Sequence, residues 1–447
     1  MTMTGTAASI GDIALGDTGV ERQLRLARAS VAAIFFINGA ATANWLVRIP
    51  AVQAKLGLSK GALGIALLGV AVGALLAMPR AGHLVARYGS RPVTRVGAAI
   101  FGATLLLPAL APNAVTLVLA LVALGIGHGT LDVAMNAQAS TVERRYGRPI
   151  MSSFHALWSA GGLAGSAMGG VVAHQGVGPA THLVTTALIA GVLALLVTGG
   201  MLPASADINT GEAAPARPRG ILLTLGTMAF CVLLGEGAMA DWSALYLRDV
   251  TGATPGAAAA GYAAFSLAMA TGRFAGDALT LRFGALPLVR GGGLLAALGL
   301  GLALVAGSSW AAIVGFGAVG AGFSVAFPLM LARAGSLPGT TPGTAIATVS
   351  VFGYTGFLAG PPVIGFVSQA TNLRGGLLVV VLTSLTVAAL AGGFRESGPA
   401  MQSSKPGGVA SPASRSASES RNNDHADVAE TAGSDFAPKL ARPTSRD

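Results

Sequence analysis

Between Gly125 and Arg145 the chain reads GIGHGTLDVAMNAQASTVERR, in which His128, Asp132 and Asn136 interrupt an otherwise apolar stretch. Spaced by four, the three polar groups fall along one stripe of an α-helix at about 100° per residue. A carboxylate inside a membrane faces a bundle interior or a wet cavity and by default marks an ion or substrate path. Burial disfavours the charged form of a carboxyl, which is the usual way to make one exchange protons near neutrality. Asp132 is therefore the candidate proton carrier, since protonation removes a charge that would resist occlusion. The competing reading is a structural carboxylate, hydrogen-bonded or paired with His128 or Arg48.

A second constellation is Gly235-Glu236-Gly237, followed by Asp241-Trp242. Counted from the start of its apolar segment, Glu236 lies about sixteen residues, or some 24 Å, along a helix. That places it in the outer half, with flanking glycines that permit a kinked or unwound turn. Glu236 is the second candidate for proton coupling, against a hydrated carboxylate near the outer mouth. Asn38, Thr42, Asn44 and Trp45 are candidates for holding a hydroxylated solute, with Asn38, Thr42 and Trp45 on one face. His128, Asn136, His155, Trp158 and Tyr354 complete the proposed lining. Hydrogen bonding between helices is the competing explanation for each asparagine.

The elements that must position these residues follow from composition. Of 447 residues 53% are hydrophobic and only 10% charged, against roughly 25% charged in soluble domains. Apolar windows of the length that crosses about 30 Å fall at 29–47, 61–79, 93–111, 114–141, 151–173 and 179–200, then at 220–247, 257–275, 286–306, 309–333, 343–368 and 375–394. The expected fold is an all-α membrane protein of twelve transmembrane helices. Its domains are a cytoplasmic N-terminal lead (1–28), a six-helix bundle (29–200), a cytoplasmic linker (201–219), a second six-helix bundle (220–394) and a disordered cytoplasmic tail (395–447). Lys and Arg concentrate on the side of the termini, and the outer loops hold only Arg48, Lys55, Lys60, Arg248 and Arg374. Both termini are thus expected in the cytoplasm of a bacterial inner membrane. The net charge of +10 belongs to short loops between spans and implies no nucleic acid. A single cysteine, Cys231, excludes an intrachain disulfide, and no metal-ligand spacing or cofactor motif occurs.

The halves are repeats. Adding 195 carries Arg87 to Arg282, Gly89 to Gly284, Pro92 to Pro287 and Arg95 to Arg290. The same offset carries Gly97 to Gly292, Gly125 to Gly320, Gly127 to Gly322, Gly161 to Gly356 and Gly165 to Gly360. Two parallel six-span repeats with a site between them near the midplane describe the major facilitator architecture.

The segment Gly82-His-Leu-Val-Ala86-Arg87-Tyr-Gly89-Ser-Arg91 resembles the cytoplasmic loop signature of the major facilitator superfamily, with Ala86 where an aspartate belongs. A second copy runs from Gly272-Arg273 through Asp277 to Arg282 and Gly284, its acid one residue out of register. The resemblance implies a latch between the halves, built from Gly82, Arg87, Gly89, Arg91, Asp277, Arg282 and Gly284. Arginines at a cytoplasmic face also have a purely topological explanation. Asp132-Val-Ala-Met-Asn136, Ser153-Phe-His155-Ala-Leu-Trp158-Ser, Gly353-Tyr354 and Gly360-Pro361-Pro362 resemble the fucose-permease branch, in particular its YbjJ-like and MosC-like members. The resemblance implies proton coupling at Asp132, because an acidic residue on span 4 of fucose permease is implicated in it. The aspartate on that permease's span 1 is replaced by Leu46, and its polar pair on span 5 by His155 and Trp158. Gly161-Gly-Leu-Ala-Gly165-Ser166-Ala-Met-Gly169-Gly170 resembles the span 5 signature of drug exporters, with Ser166 for its proline. Its small residues have a mechanical reading too, as close helix packing.

The expectation is a monomeric secondary transporter rather than an enzyme, moving a small sugar, polyol or inositol-like solute with protons. Efflux is the rival direction, and a non-transporting sensor or scaffold the rival class.

Overall fold

In the computed structural model, residues 10–207, 220–253 and 255–394 are described; the tail 395–447, the N-terminal nine residues and linker positions 208–219 lie outside them. The first half consists of α1 (Ile10–Leu56), α2 (Lys60–Tyr88), α3 (Ser90–Leu105) with the single turn α4 (Leu107–Leu110), α5 (Ala114–Tyr146), α6 (Met151–His174) and α7 (Pro179–Val197). The second consists of α8 (Ile221–Thr251), α9 (Pro255–Phe283), α10 (Ala285–Ala306), α11 (Ser309–Phe323) broken from α12 (Ala326–Gly335), α13 (Pro342–Ala370) and α14 (Leu373–Leu390). Among the described residues eleven helices are long and apolar enough to cross a membrane. The remaining rod, α9, carries Arg273, Asp277 and Arg282 in its second half.

The repeat is visible in the backbone at the same offset. Gly89 and Gly284, 195 apart, both turn the chain with positive φ, +82° and +78°, a conformation that favours glycine. Asn113 caps α5 by accepting from Thr116 N, and Ser308, again 195 on, caps α11 by accepting from Ala311 N. Packing repeats as well. A side chain at Gly125 would strike the Val70 carbonyl, and one at Gly320 would strike the Phe265 carbonyl, 195 beyond Val70. Glycine at these positions is what lets α5 lie on α2 and α11 lie on α9.

Two large core clusters are centred one on each half, the second also taking in Val85, Val93, Ala134 and Ala137 of the first half. Phe35, Leu105, Leu121, Met135 and Phe154 belong to the first; Met228, Tyr246, Phe316 and Phe323 belong to the second. A small third cluster of Ala74, Met78, Ala81, Val133 and Ala347 joins α2 and α5 to α13 across the halves. Large apolar side chains on the outside, such as Val305 at 83% and Trp310 at 78% exposure, form a surface suited to lipid rather than water.

The end of the bundle that carries the connection between the halves, called here the linker side, is closed. Gly82 lies against Gly343 and Ala347, so that a Cβ would come within 2.8 and 2.7 Å of them, and Gly276 lies against Ser152. Asp277 Oδ2 accepts from Ser153 N at 3.1 Å at the start of α6, where the helix dipole favours an anion. Arg144 Nη1 donates to the Gly335 carbonyl at 2.6 Å.

Several span boundaries differ from expectation. The first helix does not end at residue 47 but continues through Pro50 to Leu56, so Arg48 and Lys55 are helical rather than loop residues. Lys55 Nζ donates to the carbonyls of Ala109 and Ala111, fastening the end of α1 to α4. The tenth span is interrupted at Ser324 and Val325, where Ser324 Oγ donates to the Ala321 carbonyl.

Candidate functional site

A cavity of about 340 Å³ lies between the halves, within the size range of small-molecule sites. Its polar lining is Thr42, His128, Asp132, His155, Glu236, Arg273 and Tyr354; Phe35, Trp158, Phe327 and Phe357 supply aromatic surface.

The glycines of α5 set its rotation. Gly125 and Gly129 press it onto α2 at Val70 and Ala74, while Gly127 meets the Phe101 backbone of α3 on the other side. With two faces fixed in this way, His128 and Asp132 turn toward the cavity. Asp132 is 8% exposed. Asn136 Nδ2 donates to the Asp132 backbone carbonyl at 2.9 Å and to its Oδ1 at 3.3 Å. Oδ2 is buried with no hydrogen-bond partner among the described residues. Asn136 Oδ1 accepts from His155 Nε2 at 3.2 Å, which places the ring proton on that nitrogen. The His155 ring is held edge-on by Phe35 and Phe327, with centroids 5.2 and 6.0 Å away. Asp132, Asn136 and His155 therefore form one ordered relay rather than three independent contacts.

Opposite stand Glu236 on α8 and Arg273 on α9. Arg273 is 8% exposed; its Nη2 reaches Glu236 Oε1 at 3.5 Å and its Nη1 donates to Ser159 Oγ of α6 at 3.0 Å. The pair is the buried one among the three ion pairs of the described residues. His128 Nε2 and Tyr354 Oη, 3.2 Å apart, join the halves beside it.

The structure departs from the sequence reading at several residues. Glu236 lies not in the outer half but at the middle of α8, fifteen residues from Ile221 and fifteen from Thr251, because the helix outruns its apolar window. The helix is unbroken there; Gly235 and Gly237 make room for Phe323 and Phe357 instead of unwinding the chain. Asn44 does not line the cavity. It turns to α7, where its Oδ1 accepts from His182 Nε2 at 2.7 Å, and Arg48 Nε donates to His182 Nδ1 at 2.6 Å. Arg48 is thus a buried helical cation, 4% exposed, and no partner of Asp132. Trp45 packs into the core of the first half, and Asn38 Oδ1 accepts from Trp158 Nε1 at 2.8 Å. Asn38 and Asn136 act one layer behind the wall, holding Trp158 and Asp132. Thr42, His128, Asp132, His155, Trp158, Glu236 and Tyr354 do share the cavity.

Arg273 is the cavity residue that sequence reasoning missed. The sequence reading takes it as the start of the second loop copy, Gly272-Arg273, yet α9 continues ten residues further to Phe283. The loop residues Gly82 and Asp277 sit at the closed linker side, and Gly89 and Gly284 at its turns. Arg91 Nη2 donates to the Gly199 carbonyl within its own half, and the Arg87 and Arg282 guanidinium groups stack on the neighbouring Tyr88 and Phe283 rings. The acid absent at Ala86 has a counterpart in Asp207, which accepts from Ser90 N at 3.1 and 3.2 Å at the start of α3. Burial raises the Asp207 carboxyl above the usual range, offset in part by Ser90, Arg144 and Arg145. The exporter-like glycines have a packing role. A side chain at Gly161 would strike the Phe36 carbonyl, and one at Gly165 the Ala40 carbonyl, so the stripe seats α6 on α1.

Residues 31–341 match the family model of the Major Facilitator Superfamily. The chain is 37% identical to an uncharacterized MFS-type transporter of Yersinia pestis over 357 residues, covering 80% of this chain and 93% of that one. It is 34% identical to the membrane protein MosC of Rhizobium meliloti over 370 residues, covering 81% and 89%. Among solved structures, the E. coli fucose:proton symporter FucP superposes with a TM-score of 0.65 at 17% identity, covering 81% of this chain and 97% of that one. An apolar multi-helix bundle, a twofold repeat, a polar cavity between the halves and these relatives lead to one conclusion: the chain is a multi-pass membrane protein that belongs to the major facilitator superfamily of transporters.

Proposed function

We propose that the chain is a proton-coupled symporter for a small uncharged hydroxylated solute, of the sugar, polyol or inositol class, working as a monomer in a bacterial inner membrane. The observation that carries this is Asp132, buried with one oxygen unpartnered on a wall shared with the Glu236–Arg273 pair. With both carboxylates ionised and the guanidinium charged, the cavity holds one excess negative charge. One proton neutralises it, and a neutral site costs far less to occlude than a charged one. A neutral solute then fits with a single proton, whereas an anionic one would restore the charge. The aromatic walls offer faces for the C–H surfaces of a ring, and the histidines, Tyr354 and Thr42 offer hydrogen bonds to hydroxyls. The likeness to a fucose:proton symporter supports the same substrate class.

Alternating access would proceed by the two six-helix bundles, 29–200 and 220–394, rocking about this cavity. With the linker side taken as cytoplasmic, in keeping with the arginine distribution, the structure is closed to the cytoplasm. Asp277 at the α6 N-terminus and the Gly82–Gly343 approach would hold that closure.

The test uses purified protein in liposomes with an internal pH dye and a panel of sugars, polyols, amines and drugs. Protons entering with an added sugar or polyol support the reading. Protons moving against an added amine or drug would replace it with exchange, and silence across the panel would favour a sensor.

A further inference from the structure

Helices α6 and α9 meet across the halves along one stripe of each. On α9 the stripe holds Arg273, Gly276 and Asp277, spaced by three and four; on α6 it holds Ser152 and Ser159, two turns apart. Near the linker side Gly276 lies against Ser152, and Asp277 accepts from Ser153 N. One turn deeper, at the wall of the central cavity, Arg273 Nη1 donates to Ser159 Oγ at 3.0 Å. Ser159 Oγ gives its own proton to the His155 carbonyl at 3.2 Å, so it meets the guanidinium as an acceptor. Arg273 thus holds two partners with separate nitrogens: Ser159 of the first half through Nη1, and Glu236 of its own half through Nη2 at 3.5 Å.

We propose that Arg273 and Ser159 form the cavity-side bar of the gate that closes the linker side, and that a solute oxygen loosens it by taking Nη1 from Ser159. Separating α6 from α9 breaks this contact, whereas the Glu236 contact, inside one half, survives. The Asp277 contact passes into water when it parts. The Arg273 guanidinium, in a side chain only 8% exposed, loses an acceptor where water is scarce. Arg273 lines the central cavity, and a hydroxyl or ring oxygen there offers the acceptor chemistry that Ser159 offers. In the closed state the solute must displace Ser159; once α6 has moved off, the donor is free. The solute therefore binds the linker-open state more tightly and shifts the equilibrium toward it. An ammonium group, which has no acceptor, leaves the gate shut. This solute step rests on the reading of the cavity as the site of a hydroxylated solute; the gate itself does not.

The experiment measures pulsed spin-label distances across the linker side of the full-length protein in lipid nanodiscs. Cys231→Ala removes the single cysteine, and labels are placed on His83→Cys in α2 and Ser336→Cys after α12, both exposed positions. Without solute, Ser159→Ala should raise the ratio of linker-open to linker-closed molecules about tenfold or more, the effect of losing one charge-assisted contact. Ser159→Thr keeps the hydroxyl and should stay near the wild type. Arg273→Lys keeps a charge beside Glu236 but lacks the fork that holds both partners; it should open the gate too, and it decides if Ser159→Ala does not fold. L-fucose, D-xylose or myo-inositol should then move the wild type toward the open state and Ser159→Ala by less. An unchanged distance distribution in Ser159→Ala, or equal shifts of wild type and Ser159→Ala by a probe, overturns the proposal. Opening in Ser159→Ala with a wild type indifferent to all three probes upholds the gate and overturns the sugar and polyol reading instead.

Discussion

Asn136 holds one oxygen of Asp132 and leaves the other to the cavity: Nδ2 stands 3.3 Å from Oδ1, while Oδ2 has no partner among the described residues. The arrangement fixes the carboxyl without neutralising it. Asn136→Ala would free the side chain and leave His155 Nε2 without its acceptor at 3.2 Å. The expected outcome is a loss of about 1–3 kcal/mol of stability, read by thermal unfolding, with proton-coupled uptake reduced but solute binding retained.

Glu236 and Arg273 should depend on each other. Arg273→Gln strands a buried carboxylate, and Glu236→Gln strands a buried guanidinium. Either is expected to cost about 2–4 kcal/mol, near the low end for a broken buried pair because Glu236 keeps 21% of its side chain exposed. The double variant Glu236→Gln/Arg273→Gln should recover much of that loss. A double-mutant cycle by thermal unfolding checks this, and additive losses would deny the coupling.

The repeated close contacts make a paired forecast. Valine at Gly125 or at Gly320 must displace the Val70 or Phe265 carbonyl, respectively. Each substitution should destabilise by about 1–3 kcal/mol, as overpacking does, and the two effects should be of similar size. Unfolding midpoints of both variants would show it.

Asp207 gives a pH dependence outside the spans. Burial raises its carboxyl, so the folded chain holds the proton to higher pH than the unfolded chain does. Its contribution to stability is therefore greatest at low pH and falls as pH rises from the ordinary carboxylate value, about 3.9, through the raised one. Asp207→Asn keeps an oxygen for Ser90 N and should flatten that slope. Asp207→Ala removes the cap as well as the titration and should lie about 0.5–2 kcal/mol below Asp207→Asn across the pH range. Unfolding midpoints measured against pH distinguish the two.

The residues legible in the sequence were those whose signal is periodic. The 195-residue offset, the apolar windows and the stripe of His128, Asp132 and Asn136 depend only on helix geometry; the structure keeps the offset and the stripe, and places a helix at each window with shifted ends, eleven of them long and apolar enough to span among the described residues. The face of α1 was harder. Asn38, Thr42 and Trp45 share a stripe, but α1 is covered by α6 and α7, so only Thr42 reaches the cavity. Asn44 was drawn away by His182, a residue 138 positions distant whose pairing no local pattern announces. Arg48 follows the window that ends at 47, and Arg273 falls in the loop copy that begins at Gly272, so each buried cation of a long helix reads as a loop residue until its partner is known.

Proton coupling through Asp132 is tested most directly by one liposome experiment with Asp132→Asn. Solute counterflow, which needs binding and rocking but no net proton movement, is compared with accumulation driven by an imposed pH gradient. The expected result is counterflow near the wild-type rate with gradient-driven accumulation abolished. Full accumulation in the variant would contradict the assignment of Asp132 as the proton carrier.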